Sequence, residues 1–440
     1  MKPFALLLLI VLSVFSASAQ IDVGGIVKRK AEERATRKIE EGTDKVFDET
    51  ENGVKGEGKT KKDKSKKGES SEGQPAEGSE KGSAYEKGST KADALKTYSK
   101  FDFVQGEKVL VQDDFNHVAI GDFPADWNTN SGGEIVTVEG KEGKYLLISK
   151  EGVFMPDYIT DLPENFTLQF DITTNEDFNF YSGGFATTFL STNNRAKLND
   201  FGRFSSPENA VRFGLHPRNA GSGAGNVNFV NYDAEGKEIL KNEVSTQQFW
   251  VDGVHSARVS ISRQKQRLRI YLNEEKVLDI PRAFSATTKY NAVSFVAAGF
   301  HQEQDRFVIG NIKLAVGAPD TRNKLITEGK FVTNGILFDS GSDKIKPESY
   351  GVLKEIGTAL SENPTVKVKI TGHTDTDGEE ALNLDLSKRR ALSVKAALEK
   401  EFAIEASRME TDGKGEVEQV DKNSTPEAKA NNRRVEFVKL

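Results

Sequence analysis

Val366-Lys367-Val368-Lys369-Ile370-Thr371-Gly372-His373-Thr374-Asp375 decides how the C-terminal quarter of the chain folds. Val366, Val368 and Ile370 alternate with Lys367 and Lys369, the two-residue period of a strand with one buried face. Asp377 and Gly378 suit entry into a helix, and Glu379 and Glu380 place negative charge on its first turn. From Leu382 to Phe402 the period becomes helical, with Leu386, Val394 and Leu398 on one apolar stripe. The strand thus delivers Asp375 to the start of a helix that carries Arg389 and Arg390 in its first half.

At about 100° per residue, position 390 falls roughly 40° from both Leu386 and Val394, inside the apolar stripe. A guanidinium placed there needs a partner, because burying it unpaired is costly. Its planar fork fits a carboxylate. That carboxylate is either internal, with Asp375 and Asp339 as candidates, or part of a bound ligand; spacing leaves both open. Arg389 points away and reads as a solvated charge.

The same region carries Ile336-Leu337-Phe338-Asp339-Ser340, Gly372-His373-Thr374-Asp375, Asn383, Leu386-Ser387, Arg390-Ala391, Gly413-Lys414-Gly415-Glu416 and Asn432-Arg433-Arg434-Val435-Glu436. In order and spacing these pieces resemble the OmpA-like C-terminal domain, a peptidoglycan-binding module. The resemblance implies an α+β domain over 330–440 whose ligand is the diaminopimelate group of uncrosslinked stem peptides. By the same resemblance Asp375 holds the ligand's ammonium and Arg390 its carboxylate. Asp339 and Asn383 match positions lining that pocket. Arg434 matches the closing strand, where packing and ligand contact both fit, and His373 is expected to orient its loop. Glu401-Phe402-Ala403-Ile404-Glu405 departs from the family by lacking a glycine in the turn before the third strand. Strands are expected at about 335–338, 366–371, 407–412 and 433–439, with helices at about 347–361 and 380–401. Val352, Ile356 and Leu360 give the first helix its buried row.

The chain has 440 residues, room for two or three domains. A net charge of −6 argues against a general nucleic-acid binder. Cysteine is absent, which removes disulfides, thiol nucleophiles and thiolate metal sites. Lys2, the apolar run Phe4 to Phe15 and Ala17-Ser18-Ala19 read as a signal peptide over 1–19, the alternative being an uncleaved anchor. No cysteine follows to accept a lipid, and no later run is apolar enough to span a bilayer. The expected location is the periplasm or cell envelope, in association with peptidoglycan and the outer membrane. Residues 20–50 read as a charged helical segment, with Val27, Ala31, Ala35 and Ile39 in a narrow row. Residues 51–100 are Gly, Ser, Lys and Glu, too poor in apolar groups to offset ordering entropy, and read as a disordered linker.

Residues 107–317 change to short apolar runs separated by Gly and Asn turns, the pattern of an all-β sandwich. Phe166, Leu168 and Phe170 alternate with Thr167 and Gln169, and Asn273-Glu274-Glu275 forms a hairpin turn. Asp113-Asp114-Phe115, Gly121-Asp122-Phe123-Pro124-Ala125-Asp126-Trp127 and Leu268-Arg269-Ile270-Tyr271-Leu272-Asn273 resemble the concanavalin-like jelly roll. Hydrolases of that class need two carboxylates facing one cleft, and no Glu-x-Asp-x-x-Glu run occurs. Trp127, Tyr158, Phe180, Tyr181, Tyr232 and Trp250 fit either a sugar-stacking platform or the core. Asp113 and Asp114 fit either solvated turn residues or part of a calcium site. The five histidines are isolated from one another, with no metal-ligand spacing. The expectation is a non-catalytic envelope protein without cofactor or metal, docking on peptidoglycan and positioning its sandwich near the outer membrane. The alternatives are a glycan-binding or glycan-hydrolysing sandwich targeted to the wall, and an adhesin or protein-interaction domain.

Overall fold

The computed structural model describes residues 101–440, apart from 179–180, 218–223, 250, 252 and 318–319. The expected signal peptide, charged helix and linker therefore lie outside the described residues, as do Phe180 and Trp250.

Among the described residues, fifteen strands make the first domain. They are β1 (Lys108–Asp113), β2 (Trp127–Thr129), β3 (Gly133–Val136), β4 (Tyr145–Ile148) and β5 (Gly152–Pro156). Next come β6 (Asn165–Thr174), β7 (Gly184–Leu190), β8 (Ala210–Pro217), β9 (Gly225–Tyr232) and β10 (Glu238–Thr246). The last five are β11 (Ser256–Gln264), β12 (Arg267–Leu272), β13 (Glu275–Ile280), β14 (Ala292–Ala298) and β15 (Phe307–Val316). One sheet runs β13-β12-β11-β6-β15-β4-β3, with β1 also paired to β15; the other runs β10-β9-β8-β7-β14-β5-β2. Period-two patterning explains the packing. Phe166, Leu168, Phe170 and Ile172 of β6 are fully buried between the sheets, where Phe170 meets Phe295 edge-on at 5.2 Å. The architecture is the expected β-sandwich.

Register shifts occur in β1, β10, β12 and β15, and the one in β15 bears on the site. The register against β6 shifts between Gly310 and Lys313, and Asn311 takes a left-handed φ of 51°. This bulge lets Ile309 and Ile312, three apart, both enter the core. It also turns Lys313 to the outer face. There, cross-strand pairing lines up Tyr271, Ser260, Gln169, Lys313 and Gln112 in one row across β12, β11, β6, β15 and β1.

The second domain opens with β16 (Lys330–Thr333), α1 (Tyr350–Glu362), β17 (Val368–Gly372) and α2 (Glu380–Phe402). It closes with β18 (Met409–Gly413), α3 (Pro426–Asn432) and β19 (Val435–Lys439). Its sheet order is β16-β19-β17-β18, with only the β17–β18 pair parallel. Val352, Ile356 and Leu360 of α1 and Val394 and Leu398 of α2 share one core with Val368, Ile370 and Phe437 of the sheet. The strand expected at 335–338 is not formed; Phe338 makes an isolated bridge to Ile345. The edge strand is instead β16, at the very start of the expected domain, because Phe331 and Thr333 register on Phe437 and Val435. Helix α3 was not anticipated, although Thr425-Pro426-Glu427 is a helix start: the Thr425 hydroxyl caps Ala428 N at 3.3 Å. Where the family glycine is missing, Ala403 itself takes the left-handed position, φ 54°, that ends α2.

The two domains share a polar seam on the outer face of the eight-stranded sheet. Phe101 and Phe103 pack edge-on against Tyr271 at 5.8 and 5.5 Å. Gly106 N donates to Thr167 Oγ1 at 3.0 Å, and Gln105 Nε2 donates to Asn334 Oδ1 at 2.7 Å. Asn431, in α3, grips both backbone groups of Val109 on the free side of β1: it accepts from N at 2.9 Å and donates to O at 3.0 Å. Gln112 N donates to Glu427 Oε1 at 3.1 Å. Thr167, Gln169 and Ser260 are consequently buried although they face away from the core.

Candidate functional site

Gly372 ends β17 where α2 crosses closely behind it. A methyl group at 372 would overlap the Ser387 carbonyl, so the strand and helix can meet here only at glycine. His373 and Thr374 follow, fixed through their backbone to Arg434 O at 3.0 Å and Gly415 O at 2.9 Å. This places Asp375 at the sheet end, nearly buried, where its carboxylate pairs with Arg433 at the end of α3.

Beside that pair lies a cavity of about 100 Å³ lined by Lys313, Asn334, Phe338, His373, Arg390 and Arg433, among others. Arg390 is half-buried, its guanidinium 4.8 Å over the Phe338 ring, with Nε donating to Ser342 O at 3.0 Å. Neither of the internal carboxylates considered for it, Asp375 or Asp339, makes an ion pair with it. Burial, and then the neighbouring Arg433, lower its pKa. Arg434 also lines the cavity but is spent on structure. It holds Glu436 at 2.8 Å and donates to Glu418 O at 2.8 Å. Burial would raise the Glu436 carboxyl, but hydrogen bonds from Lys330 and Arg434 outweigh it and hold its pKa low. Asn383 is buried beneath the site and does not line the cavity. Its amide donates to Asp375 O at 3.4 Å, Asp377 O at 3.1 Å and Glu416 Oε2 at 2.6 Å, fixing the loop that carries Asp375. Asp339 sits outside the cavity lining, 3.4 Å from Lys344.

His373 is 3% exposed and lines the cavity; neither ring nitrogen makes a hydrogen bond, and Nε2 stands 3.5 Å from Glu436 Oε1. Burial, reinforced by Arg434, pushes its pKa down to about 4, so the ring is neutral near pH 7. Lys313 was not anticipated, since it belongs to the sandwich. The signal for it was Gly310-Asn311, a bulge-prone pair interrupting an alternating strand.

In the sandwich, Trp127 and Tyr232 are buried, as the core reading of the aromatics requires, whereas Tyr181 is exposed. Asp113 is buried and not a solvated turn residue. Its carboxylate accepts from Tyr158 Oη at 2.5 Å, Trp127 Nε1 at 3.1 Å and Phe115 N at 3.0 Å. Among the described residues no cluster of three acidic or histidine side chains is arranged to hold a metal ion, and no helix is long and apolar enough to cross a membrane.

The fold and these motifs define an OmpA family domain, matched over residues 337–433. Over 105 residues the chain is 42% identical to the probable lipoprotein YiaD of Escherichia coli, spanning 24% of this chain and 48% of that one. It is 36% identical over 108 residues to the peptidoglycan-binding protein ArfA of Mycobacterium bovis, spanning 24% of this chain and 33% of the other. The chain thus spans about half or less of the length of these curated relatives. Among solved structures, the peptidoglycan-associated lipoprotein of Burkholderia pseudomallei matches at 24% identity and a TM-score of 0.24, covering 28% of this chain and 98% of that one.

Proposed function

We propose that the chain is a non-catalytic cell-envelope protein that binds peptidoglycan through the cavity between β17, α2 and α3, and so holds its sandwich near the outer membrane. One observation carries this reading. Arg390 lines a small cavity, partly desolvated, and among the described residues makes no ion pair. A ligand carboxylate completes its fork. Asp375, which does not itself line the cavity but holds the lining residue Arg433, takes the ligand's ammonium by exchanging Arg433 for it. The zwitterionic end of an uncrosslinked diaminopimelate side chain supplies both groups. A matched relative bears the name of a peptidoglycan-binding protein, which agrees with this assignment.

The test is co-sedimentation of the full chain with purified peptidoglycan. Asp375→Ala and Arg390→Ala should each abolish sedimentation while leaving the circular dichroism spectrum of the soluble protein unchanged. Retention of both variants at the wild-type level rejects the assignment. Because crosslinking consumes the ligand's amine, highly crosslinked wall should bind less. Equal binding to sparse and dense crosslinking counts against Asp375 as the ammonium partner.

A further inference from the structure

The cavity is not built by the OmpA family domain alone. Lys313 lines it from strand β15 of the sandwich. The bulge at Asn311 aims it there, and the seam holds it: its Nζ donates to Gln105 Oε1 at 3.4 Å, and Gln105 in turn donates to Asn334, another lining residue. Of the four cationic side chains around this space, Arg433 is paired with Asp375 and Arg434 with Glu436. Among the described residues, Arg390 and Lys313 form no ion pair. One belongs to each domain, and both face the same cavity of about 100 Å³. His373, buried and without a hydrogen-bond partner, faces it as well.

We propose that the peptidoglycan site is composite: Lys313 of the sandwich and Arg390 of the OmpA family domain share the ligand carboxylate, making Lys313 a specificity residue and making ligand uptake tighten the seam. This rests on the reading of the cavity as the diaminopimelate site. A carboxylate held between the two cations adds one charge-assisted contact to the docking of each domain on the other. By linkage, a docked sandwich then favours the ligand by the same factor as the ligand favours docking.

The groups around Lys313 give the proposal a second readout. Burial first, then Arg258 of β11 and Arg433, lower its pKa to about 7, Lys346 acting in the same direction and Asp171 of β6 in the opposite one. The ammonium is therefore present at pH 6 and largely lost by pH 8.5. His373, near 4, is already neutral throughout that window.

The experiment is calorimetric titration of the full chain with free meso-diaminopimelate at pH 6 and pH 8.5, on wild type, Lys313→Met, Lys313→Arg and Arg390→Ala. Wild type should bind about tenfold more tightly at pH 6 than at pH 8.5, the scale of one lost charge-assisted contact. Lys313→Met should bind about tenfold more weakly than wild type at pH 6 and lose the pH dependence. Lys313→Arg should restore affinity and hold it at both pH values, which excludes mere loosening of the seam as the cause. If wild type binds and Arg390→Ala does not, but Lys313→Met matches wild type at both pH values, the composite site is overturned while the pocket assignment stands. If wild type takes up no diaminopimelate, the pocket assignment itself falls and takes the role of Lys313 with it.

Discussion

Acidification should destabilise the protein through the buried ring of His373. The ring is 3% exposed and its pKa drops from 6.5 to about 4. In the unfolded chain the imidazole takes up its proton as pH falls through about 6.5; in the folded chain it resists until about 4. Between those values the unfolded state binds more protons, so folding free energy is lost as pH falls through the window. Above it the group contributes no penalty. The full gap corresponds to roughly 3 kcal/mol, of which about 2 kcal/mol is already lost at pH 5. Glu436, whose carboxyl is held low against burial by Lys330 and Arg434 and lies 3.5 Å from His373 Nε2, adds a loss of the same sign at lower pH. The assay is urea unfolding of wild type and His373→Gln, followed by circular dichroism at pH 7.5, 6 and 5. Glutamine keeps a polar planar group without a titrating proton. Wild type should lose about 2 kcal/mol more than the variant between pH 7.5 and pH 5. Parallel curves for the two proteins would refute the reasoning, since they would mean the ring titrates alike in both states.

Two further outcomes test the frame around the site. Asn431→Ala removes both hydrogen bonds to Val109 and should weaken docking of the domains by about 1–3 kcal/mol; faster proteolytic cleavage between 317 and 330 reports it, and an unchanged cleavage rate counts against the seam. Gly372→Ala forces a methyl group against the Ser387 carbonyl and should cost about 2–3 kcal/mol, read as a lower urea midpoint; a midpoint equal to wild type would show that β17 and α2 are free to separate.

Much of this was readable in the chain because the relevant signals are local. Val368 and Ile370 alternate, Val394 and Leu398 keep a helical period, and Phe166 to Ile172 alternate again, so strand β17, helix α2 and the central strand of the sandwich follow directly. Arg390 could be singled out because it interrupts an apolar stripe. The misses are non-local or local exceptions. The pairing of Asp375 with Arg433 depends on where a seven-residue helix ends, and that helix follows a loop whose path no periodicity records. Asp113 looked like one of two equivalent turn acids; only the fold brings Tyr158, Trp127 and the Phe115 amide onto it and not onto Asp114. Lys313 was hidden by the bulge, since strict alternation from Phe307 and Ile309 sends Asn311, not Ile312, inward. The fold of the chain between Lys313 and Arg433 then decides that this outer face meets the other domain at all.

The segment from Phe101 to Gly106 enters the described structure wedged between both domains, with Phe103 lying against Gly351 and Gln105 bound to Asn334. A pull on the chain from its N-terminal side, while the C-terminal domain stays fixed, would therefore be borne first by this short strap. The load reaches the boundary between the domains before it reaches the interior of either. Rupture would begin by peeling aromatic rings and side-chain amides one after another, and the bonds of the sheets would be spared until the strap had let go.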